Sequence, residues 1–338
     1  MLEISTEDAR RARWSAQLLG GSALTPTQVV DRAVAFQGQD LPAVLRAIAL
    51  RSAPGTTVSD VKAAFDRGEL VRSWPVRGTL FATTPAHLRD LLALTSERIH
   101  RSTVTRRAQL GLDDDTVQRA RDIALPELPL TRSELLALWE NAGISATSGR
   151  GYHLIFHHAV AGVWHWGAFR GKEQLLAATP RNAPDTTALP RLVRALVTAR
   201  GPVSTADLAW WTKLPKTQIH KAAGQLTAVS IEGSAAWTAE DPHNPGDTGV
   251  TLIPAFDEWV LGYGDRSLIA SPEMQKALVP GNNGVFRPAV LVDGRVVGTW
   301  RGSSSAKKTP SFDLCEKVPA AVRRRIAADL AAWPHHEV

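Results

Sequence analysis

Residues 204–239 have the sequence STADLAWWTKLPKTQIHKAAGQLTAVSIEGSAAWTA, and this stretch decides the fold class. It predicts two short helices joined by a tight turn near Leu214, and then a β-hairpin that turns at Gly233-Ser234. The predicted elements, in order, are Ser204–Trp211, Pro215–Leu226, Thr227–Ile231 and Ala236–Ala239. A longer helix, Leu189–Ala199, precedes them. Helix, short helix, turn, helix and hairpin is the order of a winged helix, a helix-turn-helix unit that places one helix in the major groove of DNA.

The preceding stretch repeats the same order of helices followed by a hairpin. Its predicted helices and strands are Pro85–Ile99, Asp115–Leu125, Thr131–Asn141, Gly151–Ala161, Val163–Phe169 and Gln174–Ala177. Thr131 and Glu134 have the spacing of a capping box at the start of an apolar run, which supports the third of these helices. Residues 85–183 are therefore predicted to form a winged helix, as are residues 184–242 around the stretch quoted first.

The N-terminal part of the chain, residues 1–84, is the third copy of the pattern. Its predicted elements are Thr6–Leu19, Pro26–Gln37, Leu41–Leu50, Thr57–Arg67, Leu70–Trp74 and Thr79–Thr83. Gly38 directly follows a predicted helix, at the position where a left-handed C-cap favours glycine. Asp40 is predicted to cap the next helix, which has Pro42 in its first turn.

The sequence changes character after residues 241–249, a stretch rich in Pro, Asn, Asp and Gly that predicts a linker. Short strands are expected beyond it, at Thr251–Ile253, Trp259–Leu261, Phe286–Val292 and Val296–Trp300. Asp293-Gly294 is a strong two-residue hairpin turn, and Pro319–Trp333 is predicted as an amphipathic helix. The predicted fold class is α+β, with three tandem winged-helix units followed by a C-terminal β-barrel-like domain at residues 249–338.

The amino-acid composition favours some classes of protein and excludes others. The 338 residues have 39 Lys and Arg against 33 Asp and Glu, a net charge of +6 that favours an anionic partner. No apolar run approaches the roughly 20 residues of a membrane span, and the charged N-terminus does not resemble a secretory signal. Cys315 is the single cysteine, which excludes a disulfide framework and a Cys-type zinc site within one chain. These features predict a cytoplasmic protein that binds neither a membrane nor a metal.

Four short motifs carry a resemblance to a known family. They occur in the right order along nearly the whole chain: Phe36-Gln37-Gly38-Gln39, Val76-Arg77-Gly78-Thr79-Leu80, Leu252–Asp257 with Asp265-Arg266, and Asn283–Pro288 leading to Gly294–Trp300. Together they resemble the winged-helix DNA glycosylases of the AlkZ/YcaQ-like type, which protect against DNA alkylation and interstrand crosslinks. The resemblance implies three winged helices around a C-shaped DNA cleft and a C-terminal β-barrel. It also implies a monomer associated with the nucleoid that binds damaged double-stranded DNA and needs no cofactor.

The resemblance implies that Gln37 and Gln39 are the catalytic residues, as the Gln-x-Gln signature of the family's antibiotic-resistance branch. A carboxamide does not titrate, so neither residue can act as a general base. A purine alkylated at N3 or N7 is already cationic and leaves readily. The enzyme then has mainly to position water and stabilise the sugar cation, which two carboxamide oxygens can do. We therefore expect a monofunctional glycosylase for alkylpurines, without lyase activity. The alternative is that both glutamines are surface residues at a helix end.

DNA contacts are expected from residues that the motifs and the third unit place near the cleft. These are Arg77, Lys213, Lys216, His220, Arg266, Asn282 and Asn283. Such side chains position a duplex through its phosphates without determining sequence specificity. A structural ion pair between Asp265 and Arg266 is the alternative role for that arginine.

Two further interpretations stay open at this stage. His153 and His157 are four residues apart on a predicted helix, which suits metal ligands, but no acidic residue completes a known metal pattern and packing is favoured. The chain could also be a non-enzymatic winged-helix regulator or a repair accessory that binds DNA structures. Three winged helices and no evident dimerisation segment argue against a simple repressor.

Overall fold

The computed structural model describes residues 2–180, 185, 187–240, 248–302 and 309–334. Within these residues there are fourteen α-helices and twelve strands, arranged in three sheets. The α+β class and the winged-helix units are confirmed. Most of the predicted linker, residues 241–247, lies outside the described residues. None of the helices that the structure describes is long and apolar enough to cross a membrane.

The N-terminal elements follow the prediction closely except around the Gln-Gly-Gln motif. They are β1 (Leu2–Ile4), α1 (Thr6–Ala16), α2 (Pro26–Ala33), β2 (Ala35–Gln37), α3 (Leu41–Arg51), α4 (Val58–Asp66), β3 (Val71–Val76) and β4 (Thr79–Thr83). The prediction of one helix from Pro26 to Gln37 is wrong beyond Ala33. Val34 has a φ of +69°, which ends the helix, and the next three residues form a strand. That strand pairs antiparallel with β4, with Gln37 opposite Phe81.

Gly38 has a different role from the predicted left-handed cap. Its φ is not positive, and its N–H donates to the Leu80 carbonyl at 2.7 Å. A Cβ atom at this position would lie 2.9 Å from the Ala82 backbone nitrogen. Glycine is therefore needed because the chain passes so close to β4. Asp40 then caps α3 as predicted, accepting the Ala43 N–H at 3.0 Å.

The second unit shares a sheet with the first. Its elements are α5 (Pro85–Gln109), α6 (Asp114–Ala124), a 3₁₀ turn (Leu125–Glu127), α7 (Arg132–Asn141), α8 (Arg150–Val160), β5 (Trp164–Arg170) and β6 (Glu173–Ala178). The Thr131–Glu134 capping box is present. Arg72 on β3 pairs with Trp166 on β5, so the two hairpins and β2 form a five-stranded sheet in the order β2-β4-β3-β5-β6. Hydrogen bonds thus cross the predicted boundary between residues 84 and 85.

The third unit has the predicted winged-helix order. Its elements are α9 (Ala188–Arg200), α10 (Thr205–Thr212), α11 (Lys216–Ala223), β7 (Thr227–Ile231) and β8 (Ser234–Thr238). The N-terminal strand β1 adds to this hairpin, pairing in parallel with β7. Arg13 on α1 also donates to the Pro202 carbonyl at 2.7 Å. The start of the chain therefore packs on the third unit. The division into four domains, residues 1–84, 85–183, 184–242 and 249–338, stays a prediction.

The C-terminal part is an open sheet covered by helices. Its elements are β9 (Val250–Ile253), α12 (Glu258–Leu261), α13 (Pro272–Leu278), a 3₁₀ turn (Pro280–Asn282), β10 (Ala289–Val292), β11 (Arg295–Arg301), β12 (Ser311–Leu314) and α14 (Ala320–Ala332). The predicted barrel-like closure is wrong for the described residues, because the four strands run in the order β12-β11-β10-β9 and the outer two do not pair. The predicted strand at Trp259–Leu261 is α12, which Asp257 caps by accepting the Trp259 N–H at 2.8 Å.

The close passage of Gly38 over β4 gives a stability prediction. Gly38→Ala should lower the free energy of unfolding by about 1–3 kcal/mol, because the methyl group would meet a backbone that cannot move aside. Urea denaturation measures the change. Gly224→Ala is the matched control: its Cβ would lie 3.4 Å from the nearest atom and its φ of −62° suits alanine, so stability should stay equal or rise. A Gly38→Ala variant as stable as the control would contradict this packing.

Candidate active site

The structure brings Gln37 and Gln39 together at the end of β2. The Gln37 side chain is 7 % exposed, and its Nε2 donates to the Gln39 Oε1 across 3.4 Å. The Thr79 hydroxyl, on β4, donates to the Gln37 Oε1 at 3.4 Å. Gln39 is exposed. The two carboxamides therefore form a short chain of contacts that runs from the sheet to the solvent.

A buried carboxylate from the C-terminal part holds the Gln37 backbone. The Glu258 Oε1 accepts the Gln37 N–H at 3.0 Å. Its Oε2 accepts one hydrogen bond from the Arg200 guanidinium and one from the Trp211 indole, each at 3.1 Å. The Glu258 and Arg200 side chains are 3 % and 2 % exposed. Both carboxylate oxygens are thus occupied by fixed donors, which suits a structural anchor rather than a base.

Arg200 explains why helix α2 can break where it does. Its guanidinium donates to the carbonyls of Ala33 at 3.0 Å and Ala35 at 3.3 Å, on either side of Val34. These carbonyls lie where the helical hydrogen bonds end and the strand begins, so they need an outside donor. Glu258 and Arg200 together bind three backbone groups at the change from α2 to β2, the carbonyls of Ala33 and Ala35 and the N–H of Gln37.

A second buried ion pair fixes the other side of the motif. Arg51, on α3, donates to the Asp257 carboxylate through both Nη atoms, at 2.9 and 2.8 Å. Both side chains are almost fully buried. Because Arg51 is the last residue of α3, this pair anchors the far end of the helix that follows the motif, while Glu258 holds the strand that precedes it. Two consecutive acidic residues of one segment thus bind the elements on either side of the Gln-Gly-Gln turn.

Arg72 binds the middle of the motif. Its Nε donates to the Gly38 carbonyl at 2.6 Å and its Nη1 donates to the Gln174 side chain at 2.8 Å. Burial lowers the Arg72 pKa to about 10, and nearby Asp40 opposes that shift. With Gly38 N–H bound to Leu80, the backbone of the motif is held on several sides. Such preorganisation is what a catalytic turn needs.

Of the predicted DNA-contacting residues, Arg77, Lys213 and Arg266 converge on Trp210, which lies on α10. The three cationic groups lie 4.7, 5.3 and 5.8 Å from the indole centroid, respectively. Arg77 has a φ of +55°, and burial lowers its pKa to about 10 although Glu258 opposes the shift. No ion pair joins Arg266 to Asp265, whose carboxylate instead accepts the Ser267 N–H at 2.8 Å.

The remaining predicted contacts lie on exposed positions. Lys216 and His220 are exposed on α11, and Lys216 lines a groove of about 1120 Å³ together with Trp210 and Lys213. Asn283 is exposed and accepts the Val285 N–H at 3.0 Å. The side chain of Asn282 lies outside the described part of the chain. No hydrogen bond joins Lys216, His220 or Asn283 to the glutamine pair.

The histidines of α8 pack against one another and against α5. The His157 ring lies 4.5 Å from the His100 ring, and its pKa is lowered to about 3, mainly by burial and then by His100. His158 is buried and contacts the Val117 carbonyl. No group of three or more His, Cys, Asp or Glu residues in the described ranges is placed to hold a metal ion.

Sequence reasoning missed the residues that hold the motif. Glu258 directly follows the Leu252–Asp257 motif, so its position was a usable signal. Arg72 lies on a predicted strand and Arg200 ends a predicted helix, and neither position carries a functional pattern. Of the adjacent tryptophans, Trp211 is fully buried, while Trp210 is half-buried.

Comparisons with known proteins agree with this fold. The family profile described as DNA glycosylase AlkZ-like matches residues 30–335. An interstrand DNA cross-link repair glycosylase of Streptomyces sahachiroi is 26% identical over 339 residues, covering 90% of each chain. The solved structure of the Streptomyces sahachiroi DNA glycosylase AlkZ superposes with a TM-score of 0.80 at 23% identity, covering 98% of this chain and 96% of that one. At 23% identity, the structural similarity shows a shared fold and nothing further.

The Glu258–Arg200 pair gives a second stability prediction. Glu258→Ala should cost about 3–5 kcal/mol, because it leaves a buried guanidinium without its carboxylate. Urea denaturation measures the loss. Glu97→Ala is the control, since Glu97 is 85 % exposed in its pair with Arg101 and its loss should not be measurable. Equal stability of the two variants would show that Glu258 does not anchor the strand.

Proposed function

Because the chain belongs to the AlkZ-like DNA glycosylase family, we propose that it hydrolyses the N-glycosidic bond of purines alkylated at N7 or N3 in double-stranded DNA. Gln37 and Gln39 are the proposed catalytic residues. The observation that carries the proposal is their contact at the end of β2, on a backbone held by Glu258 and Arg72. The cross-link repair named for the Streptomyces sahachiroi relative suggests that bulky N7 adducts and interstrand crosslinks belong to the same substrate class.

The chemistry of the pair suits a leaving group that is already charged. Neither carboxamide can transfer a proton. The two nearest carboxylates are engaged: Glu258 accepts from three donors, and Asp40 caps α3. An undamaged base would need acid assistance to leave, whereas an alkylated purine carries its own positive charge. Fixed amide oxygens can orient the attacking water and stabilise the positive charge that develops on the sugar.

The proposed reaction stops at the abasic site. A lyase step needs an amine nucleophile that forms a Schiff base with the sugar. Among the described residues, no lysine hydrogen-bonds to Gln37 or Gln39, and Lys213 is directed to the Trp210 ring instead. We propose that Arg77, Lys213, Lys216, His220, Arg266, Asn282 and Asn283 contact the duplex. We further propose that the protein acts as a monomer on nucleoid DNA in the cytoplasm, without a cofactor.

Incubation with a duplex that contains N7-methylguanine or an N7 crosslink tests the function. The expected result is release of the alkylated base, with strand breakage only after alkali treatment. Breakage without alkali would overturn the monofunctional reaction. Failure to release any N-alkylated purine, with DNA binding retained, would support a non-enzymatic DNA-binding protein instead.

The glutamine pair gives a catalytic prediction. Gln37→Ala and Gln39→Ala should each lower single-turnover excision by about a hundredfold, because each removes a fixed polar contact to the transition state. Affinity for the duplex should change little. The double variant should lose less than the product of the single losses, since both amides act on one water or one sugar cation.

Gln118→Ala is the matched control for these variants. Gln118 is an exposed glutamine on α6 that donates to Asp122 on the same helix, so its loss should leave excision unchanged. If Gln37→Ala and Gln39→Ala excise alkylpurine as fast as Gln118→Ala does, the active site lies elsewhere.

A further inference from the structure

Trp210 is surrounded by cations that lack a carboxylate partner. Arg77, Lys213 and Arg266 all lie within 6 Å of its ring centroid, at the distances given above. Arg77 and Arg266 donate to the backbone carbonyls of Leu261 and Val260. Among the described residues, no acidic side chain lies within ion-pair distance of any of the three. The indole face attracts cations, but it cannot neutralise them.

Arg98, on α5, extends this group. Its Nε and Nη2 are buried and have no hydrogen-bond partner among the described residues. Leu94 lies one turn earlier on the same side of α5 and packs in the core of the third unit, with Trp210 and Trp211. The electrostatic effect of Arg98 reaches Lys213: burial lowers the Lys213 pKa, and Arg77 and Arg98 lower it further. Arg98 therefore lies on the side of α5 that packs against this core.

Holding these like charges together has an energetic cost. Burial lowers the pKa values of Arg77 and Arg266, and Arg266 also lowers that of Arg77. Glu258 is the carboxylate that opposes the charge of Arg77, but its oxygens are occupied by Arg200, Trp211 and Gln37. Asp207, on the wall of the adjoining groove, accepts the backbone N–H groups of Gly264 and Asp265. A bound anion that neutralises these cations would explain why the fold holds them together.

We propose that Arg77, Arg98, Lys213 and Arg266, arranged around Trp210, bind one phosphodiester of the DNA strand. Guanidinium groups bind phosphate oxygens through paired N–H donors, and the adjoining groove gives a strand access to Trp210 and Lys213. The proposal rests on the proposed function, and it places the phosphate beside the reacting nucleotide. Arg77 is two residues from Thr79, whose hydroxyl donates to Gln37. In this proposal, the bound phosphate aligns the sugar with the glutamine pair.

A methylphosphonate scan combined with variants tests the proposal. Each phosphate near the N7-methylguanine is replaced in turn by a neutral methylphosphonate, and duplex affinity is measured for wild type and Arg98→Ala. At one position the wild type should lose about tenfold or more in affinity, the effect of a charge-assisted hydrogen bond. Arg98→Ala should lose much less at that position. Lys213→Met should behave in the same way.

The control is Arg101→Ala on the same helix, since Arg101 pairs with Glu97. At the phosphate position identified with the wild type, methylphosphonate replacement should lower the duplex affinity of Arg101→Ala by the same factor as that of the wild type. Arg98→Ala should also melt at or above the wild-type temperature, because it removes an uncompensated charge. If the losses for Arg98→Ala and Lys213→Met equal the wild-type loss at every position, the phosphate site is overturned. Excision of N7-methylguanine by the wild type in the same experiment would still support the proposed function.

Discussion

The buried pair of Glu258 and Arg200 is the interaction on which the rest of the structure depends. Glu258 comes from the C-terminal part, Arg200 from the end of α9, and both act on strand β2 of the first unit. Breaking such a pair leaves a charge without compensation in the interior. The first unit, the third unit and the C-terminal part therefore cannot be displaced from one another without disturbing Gln37. The same arrangement explains why the chain leaves helix α2 abruptly at Val34 and why the Gln-Gly-Gln turn is held on several sides.

Local patterns predict what local forces determine. The third unit agrees with its prediction to within a few residues, because capping by Ser204 and the helical spacing of apolar residues act within one segment. Strand β2 could not be predicted in this way. Ala35, Phe36 and Gln37 continue the apolar and polar spacing of α2, and only pairing with β4 and the two donors from Arg200 make them a strand. A barrel or sheet was expected from the short strand candidates, and a barrel also from the family resemblance; the four strands that the described residues form do not close.

The candidate site likewise contains residues that a local motif predicts and residues that it does not. A motif of adjacent residues indicated Gln37 and Gln39. The residues that hold them are distant in sequence, and Glu258 comes 221 residues after Gln37. Helix α12 has four residues, too few for a helical pattern to be recognised, and Arg98 is one of many arginines on a long helix. Their roles follow from their partners: Glu258 has three donors, whereas two nitrogens of Arg98 have no acceptor in the part of the chain that the structure describes.

The central claim is that Glu258 positions Gln37, the proposed catalytic residue, and Glu258→Gln tests it most directly. This change keeps the size of the side chain and removes its charge, so the Gln37 N–H, Arg200 and Trp211 can no longer all be satisfied as before. The measurement is single-turnover excision of N7-methylguanine, with duplex affinity measured in parallel. Misplacement of a catalytic group by about 1 Å can cost on the order of a hundredfold. We therefore expect a loss of excision rate that approaches this size, with affinity nearly unchanged. Wild-type excision by a folded Glu258→Gln variant would contradict the account.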